Sequence, residues 1–180
     1  MDRMHEPASA VSDRRAASEP RVRPVSFEAF FEAEHERLVR AMYLVTGNAQ
    51  EAEELMQDAF VAVWERWDRV REMDEPAGYL YRTAMNRFRS RLRRASRAAR
   101  RAIGSDPGVD AFAAADERDA LARALARLPE RQRSAIVLTE LLGYGSVEAG
   151  LILGVKDVTV RSLASQARAT LRIHLDDRDE

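Results

Sequence analysis

The sequence contains no cysteine, which excludes disulfides and thiolate metal ligands. Histidine is scarce, with only His5, His35 and His174. Glu32 and His35 have the helical spacing of half a di-iron carboxylate site, but the second Glu-x-x-His such a site needs is missing. No glycine-rich phosphate loop, zinc-ligand spacing or nucleophile elbow is present. No metal, cofactor, catalytic residue or small-molecule substrate is therefore expected, and an enzyme is not indicated. No apolar run approaches the roughly 18 residues that span a bilayer, and the N-terminus lacks the apolar core of a signal peptide. Direct membrane insertion is not expected. Lysine is almost missing as well: Lys156 is the single one among 29 basic residues. Alternating strand patterns are absent, as are internal repeats.

What is present is helical periodicity and segregated charge. The net charge of −1 conceals three blocks. Residues 26–75 carry 13 acidic and 5 basic side chains, and residues 76–105 carry 9 arginines and no acid. Residues 106–180 carry 13 acidic and 10 basic side chains. Asymmetry of this kind points to two different partners, one of them a polyanion.

The spacing predicts two small helical domains and places their boundaries. Residues 1–25, rich in Arg, Ala, Ser and Pro, read as a disordered leader. A helix is expected from Phe27 to Thr46, capped by Ser26 and stopped by Gly47. Asn48 and Glu51 mark the start of a second, whose apolar stripe runs through Ala52, Leu55, Ala59, Phe60, Val63, Trp64 and Trp67. Pro76 and Gly78 break the pattern. A third helix follows, with Tyr81, Ala84, Met85, Phe88 and Leu92 on its buried face. These three make one bundle over residues 26–101. Residues 102–116 read as a flexible linker.

Over 117–174 the helical pattern resumes with Leu121, Leu125 and Leu128. Pro129 then opens a helix carrying Ile136, Leu138, Leu141 and Leu142. Ser146 caps a short helix to Leu153, Gly154 turns the chain, and a last helix runs from about Val158 to His174. Short helix, glycine turn and longer helix is the pattern of a helix-turn-helix. Residues 175–180 form an acidic tail.

Three surfaces carry chemistry. The last helix directs Asp157, Thr159, Arg161, Ser162, Ser165, Gln166 and Arg168 outward, with Lys156 just before it. Short polar and cationic side chains of this kind reach base edges and phosphates in the major groove. The arginine-rich helix offers Arg82, Arg87, Arg89, Arg93 and Arg94 to phosphate. Asn86 lies among them for a base edge, and Tyr79 is placed to stack on unpaired bases. The acidic second helix would repel DNA, and its polar patch suits a basic protein partner.

The order and spacing of these motifs resemble the sigma-70 family of bacterial RNA polymerase sigma factors, in its small extracytoplasmic-function (ECF) group. Gly47–Trp64 is similar to the polymerase-binding core of sigma region 2. Pro76–Arg94 is similar to the segment that melts and reads the minus-ten element. Leu128–Arg133 and Leu153–Ser162 look like region 4, which reads the minus-thirty-five element. The likeness covers residues 26–174. It implies an all-α fold in which region 2 docks on core RNA polymerase through Glu51, Glu54, Leu55, Gln57 and Asp58. The minus-ten readers would be Tyr79, Arg82, Asn86, Arg87, Arg89, Arg93 and Arg94. Lys156, Asp157, Thr159, Arg161, Ser162, Ser165, Gln166 and Arg168 would hold the minus-thirty-five duplex.

An anti-sigma factor is implied as a further partner, and the cytoplasm as the location. The alternatives are a helix-turn-helix regulator and a degenerate sigma-like interaction protein, neither acting with core polymerase. Tyr79 stands where the family usually has Trp, and Ser90 where it has Asp. Gly150 replaces an alanine, which predicts a short helix weaker by about 1 kcal/mol. Leu163 and Gln166 replace basic residues, which predicts weak or altered upstream reading.

Overall fold

The computed structural model describes residues 26–101 and 120–176; the leader, the linker and the last four residues lie outside the described residues. The order is α1 (Phe27–Thr46), α2 (Ala49–Trp64), α3 (Trp67–Val70), α4 (Pro76–Arg101), α5 (Ala120–Ala126), α6 (Glu130–Ile136), a π-helical turn (Val137–Leu141), α7 (Ser146–Leu153) and α8 (Asp157–Asp176). The fold is all-α, as the periodicity implies.

Local chemistry sets the ends of the first two helices. Ser26 Oγ accepts from the Ala29 N–H at 3.2 Å, satisfying one of the orphan donors of the α1 N-terminus. Gly47 ends α1 in the left-handed region at φ 74°. Asn48 Oδ1 then accepts from the Glu51 N–H at 3.0 Å and starts α2. Apolar faces bring α1, α2 and α4 together around Leu38, Met42, Leu55, Val63, Leu80 and Met85, all essentially inaccessible.

Trp64 does not join that core. It is 63% exposed, contrary to the continuous stripe expected of α2. The helix ends there, the chain re-forms as the single turn α3, and Trp67 takes the inward seat. Its ring lies 5.5 Å from Phe27 and 5.3 Å from Phe30. Phe60 completes the cluster, 4.8 Å from Phe31. His35 is occupied by its own helix: Nδ1 donates to the Phe31 carbonyl at 3.0 Å and the ring stacks on Phe31 at 4.9 Å.

In the second half, Leu125, Leu128, Ile136, Leu138 and Leu142 are buried, whereas Leu121 and Leu141 are 43% and 41% exposed. The π-helical turn explains Leu141. The Leu142 N–H bonds to the Val137 carbonyl at 3.1 Å, so one extra residue enters the turn and carries Leu141 off the apolar face. Ser146 is the first residue of α7, and its cap is Gly145, whose N–H donates to Glu148 Oε2 at 2.8 Å.

The helix-turn-helix comprises α7, the turn at Gly154 (φ 64°) and α8, held by buried Ala149, Ile152, Val160, Ala164 and Ala167. Gly150 has a role that propensity did not reveal. A Cβ there would lie 2.8 Å from the Val155 carbonyl oxygen and 3.4 Å from the Asp157 nitrogen. The glycine lets α7 rest directly on the backbone of the turn. Gly150→Ala, which helix propensity alone would favour, is instead expected to destabilise the protein by about 1–3 kcal/mol through overpacking. Denaturant unfolding monitored by circular dichroism checks this, and a stabilised variant would contradict it.

The two halves share one core. Helices α1 and α4 pack on α5, α6, the π-helical turn and α7. Tyr81 and Tyr144 meet edge to face across the junction at 5.7 Å. The buried Glu34 accepts from the Tyr81 hydroxyl at 3.5 Å. This junction decides how several candidate site residues are placed.

Candidate nucleic-acid interface

The basic face of α4 divides into two sides. Tyr79, Asn86, Arg87 and Arg94 line an open pocket of about 400 Å³, together with Asp58 of α2. Ala62, Arg66, Thr83, Ser90 and Arg91 complete its wall, and none of these five is among the minus-ten readers that the sequence implies. Their signal was available only in part. Thr83 and Ser90 fall one helical turn from Tyr79 and Asn86, but Arg66 arrives from a separate turn of chain. Tyr79 is half-buried, and its carbonyl accepts from Thr83 Oγ1 at 2.8 Å. An aromatic ring, an amide and several guanidiniums around a cavity of this size match what an unstacked base and its phosphates require.

Arg89 and Arg93 turn to the other side. Arg89 was expected to grip DNA, yet its Nη1 donates to the Leu153 carbonyl and its Nη2 to the Ile152 carbonyl at 3.4 Å. The cause is the C-terminus of α7, whose last carbonyls lack helical partners and carry the negative end of the helix dipole. Burial holds the Arg89 guanidinium below its usual pKa, with Arg93, Arg82 and Arg131 adding to the depression and Glu130 opposing it. Nη2 also donates to Asn86 Oδ1 at 2.7 Å. Arg89 therefore orients Asn86 and leaves that amide's nitrogen end available.

Arg93 lines a second cleft of about 360 Å³ between α4 and the helix-turn-helix. Leu92, expected in the core, is 39% exposed at this cleft, and Leu163 of α8 is on its wall. Leu163 thus serves the junction between the halves. Arg82 is exposed and belongs to neither cavity.

On α2 the expected docking residues also separate. Glu54 and Gln57 are exposed, whereas Glu51 and Asp58 are half-buried. Burial pushes the Glu51 carboxyl upward and Arg91 partly offsets this. Leu55, by contrast with the docking role that the resemblance implies, is fully buried in the core and offers no surface to a partner. Its side chain faces α1 and α4 because it sits on the apolar stripe that makes the bundle. The carboxylates of Glu54 and Asp58 are engaged by α4, with Arg91 Nη1 2.8 Å from Glu54 Oε2 and Arg91 Nη2 3.0 Å from Asp58 Oδ2. Arg87 Nη1 lies 3.8 Å from Asp58.

On α8, Arg161, Ser162, Ser165, Gln166 and Arg168 are exposed, Asp157 and Thr159 are half-buried, and Lys156 is exposed in the turn. Apart from the half-buried Asp157 and Thr159 this set faces outward, and its charge is partly engaged within the protein. Arg161 pairs with Asp157 at 2.7 Å and reaches Ser146 Oγ at 3.4 Å; Arg168 pairs with Glu140 at 2.7 Å. The Val158 backbone N–H and then Arg161 hold the Asp157 carboxyl below its usual pKa. Gln166 bridges Ser162 and Gln132. Val158, near the start of α8, is 54% exposed and adds an apolar side chain to the surface of this helix.

Among the described residues no helix is long and apolar enough to cross a membrane. The Sigma-70 region 2 family matches residues 30–98, and the Sigma-70 region 4 family matches residues 118–171. The chain is 32% identical over 152 residues to the ECF RNA polymerase sigma factor SigM of Mycobacterium tuberculosis, covering 81% of this chain and 75% of that protein. Its fold is similar to that of the sigma factor RpoE of Bartonella quintana, solved with the anti-sigma factor NepR. There the TM-score is 0.71 at 23% identity, over 83% of this chain and 96% of that one. It is also similar to CnrH, solved with the cytosolic domain of CnrY, with a TM-score of 0.58 at 25% identity over 84% and 88% of the two chains. With both family regions matched in order and a relative of this identity aligned along most of its length, the chain belongs to the sigma-70 family, in the ECF group of RNA polymerase sigma factors.

Proposed function

We propose that this chain docks on core RNA polymerase through the exposed polar face of α2, centred on Gln57 and Glu54, and opens promoter DNA at the pocket on α4. The observation that carries the reading is that pocket: Tyr79, Asn86, Arg87 and Arg94 gathered around about 400 Å³. Tyr79 stacks on an unpaired base, the Asn86 amide meets a base edge, and the arginines hold the flanking phosphates. Extruding a base costs a few kcal/mol, which stacking and pocket contacts repay. Arg89 joins the phosphate contacts only where α7 leaves α4.

Region 4 holds the upstream duplex through Lys156, Thr159, Arg161, Ser162, Ser165, Gln166 and Arg168. With Arg161 and Arg168 both paired to carboxylates, few phosphates are neutralised and the contact is weak on its own. Asp157 serves Arg161 rather than DNA. Tethering through the polymerase lets two weak sites act as one strong one. The chain performs no covalent step, acts in the cytoplasm where polymerase works, and has an anti-sigma factor as a partner. An operator-binding regulator, the other reading of the helix-turn-helix, would leave the α4 pocket and the α2 face without a task.

The test is co-purification with core polymerase. The wild-type chain is expected to be retained, and Gln57→Arg, which sets a cation against a basic partner, to lose at least about ten-fold in affinity, equivalent to roughly 1.4 kcal/mol. Unchanged retention of Gln57→Arg would remove α2 as the docking face.

A further inference from the structure

The two working surfaces of region 2 share their charges. Arg91 of α4 bridges two carboxylates of α2, Glu54 at 2.8 Å and Asp58 at 3.0 Å, and Arg87 approaches Asp58 at 3.8 Å. Asp58 belongs to the polar face of α2 and also lines the base-capture pocket. A carboxylate in such a pocket repels phosphate, and here guanidiniums cover it. The same contacts work in reverse. While Arg91 holds two carboxylates, its charge is largely unavailable to DNA, even though its side chain forms part of the pocket wall.

All three partners remain partly exposed, with relative side-chain accessibilities of 32% for Arg91, 50% for Glu54 and 45% for Asp58. Such ion pairs are weak enough to exchange with a competing charge. Arg91 can therefore change partners without any rearrangement of the backbone.

We propose that Arg91 is a positioning residue through which polymerase docking sets the grip on DNA: basic groups of the polymerase that take Glu54 and Asp58 release Arg91 for phosphate at the minus-ten pocket. The proposal rests on the docking and pocket roles assigned above. Linkage makes it reciprocal. DNA that takes Arg91 frees the two carboxylates, so each partner tightens binding of the other by the same factor. In the free chain the pair damps DNA binding, and on the polymerase the damping is lifted.

The experiment uses the free full-length chain and a fluorescent single-stranded oligonucleotide of mixed sequence, read by anisotropy at fixed ionic strength. Glu54→Gln/Asp58→Asn is expected to bind several-fold tighter than wild type. It should also exceed the charge-matched control Glu53→Gln/Glu65→Gln, which removes two exposed carboxylates of the same segment. The excess should vanish when Arg91→Gln is added. Arg91→Lys keeps the cation but cannot fork across two carboxylates, and it is expected to bind tighter than wild type. Circular dichroism confirms that each variant is folded.

A gain no larger than the control's, a gain that persists without Arg91, or an Arg91→Lys variant no tighter than wild type would each overturn the proposal. Retention of the wild-type chain on core polymerase is measured separately. Its loss would remove the docking reading and the trigger with it, whereas the DNA titrations fail independently of that result.

Discussion

Leu55→Ala is expected to lower the stability of the protein by about 2–5 kcal/mol, the cost of deleting a fully buried leucine from a packed interior. Leu55 lies on the buried stripe of α2 among the residues that join α1, α2 and α4, and it has no accessible surface. The loss has two sources: apolar atoms forgo their transfer out of water, and a cavity opens that helices fixed at both ends cannot close. Total stability of domains of this size is only about 5–15 kcal/mol, so the variant loses a large fraction of it. Polymerase binding would fall as well, but through unfolding. Gln57→Arg separates the two effects, since it should weaken docking and leave the denaturation midpoint almost unmoved. Urea unfolding of both variants checks the distinction. A Leu55→Ala protein as stable as wild type but deficient in docking would return Leu55 to the contact surface.

Tyr79→Ala is expected to reduce open-complex formation by about 5- to 150-fold, corresponding to the roughly 1–3 kcal/mol that one aromatic–base stack contributes. Tyr79 is half-buried at the rim of the α4 pocket, with its backbone fixed in the first turn of the helix. The ring is thus presented from a rigid element, and little entropy is lost when a base stacks on it. Tyr79→Trp keeps a stacking face and should retain most activity. Permanganate reactivity of unpaired thymines in the polymerase complex measures the effect. Equal reactivity for Tyr79→Ala and wild type would place base capture elsewhere.

Much of this was legible in the residues, and what was not has physical causes. Helical periodicity identifies which face of a helix is apolar, so the first cap at Ser26, the stop at Gly47 and the turn at Gly154 all fall where the pattern puts them. Periodicity does not identify what covers that face. Trp64 continues the stripe of α2 in sequence, but Trp67 fills the seat against Phe27 and Phe30, leaving Trp64 in solvent. Leu141 is displaced by a hydrogen bond one residue longer than the helical one, and no residue type signals such an insertion.

Gly150 reads as a weakness because propensity counts one helix at a time, whereas its use is the close approach of the following turn. Arg89 and Leu163 read as DNA-facing or departed from DNA-facing because the pattern treats the two regions separately. Their placement follows from packing between the halves, which the sequence encodes only through the fold. Opposite charge on α2 and α4 was visible from composition, but the pairing of Arg91 with Glu54 and Asp58 requires both helices in register.

The central claim is that this chain directs promoter-specific initiation, and transcription reconstituted from purified core polymerase, this chain and a fragmented library of its source genome tests it most directly. Transcripts with discrete start sites that share upstream sequence elements are expected, absent with core polymerase alone and strongly reduced with Tyr79→Ala. A folded chain that binds core polymerase yet yields no discrete start sites above that background would contradict it.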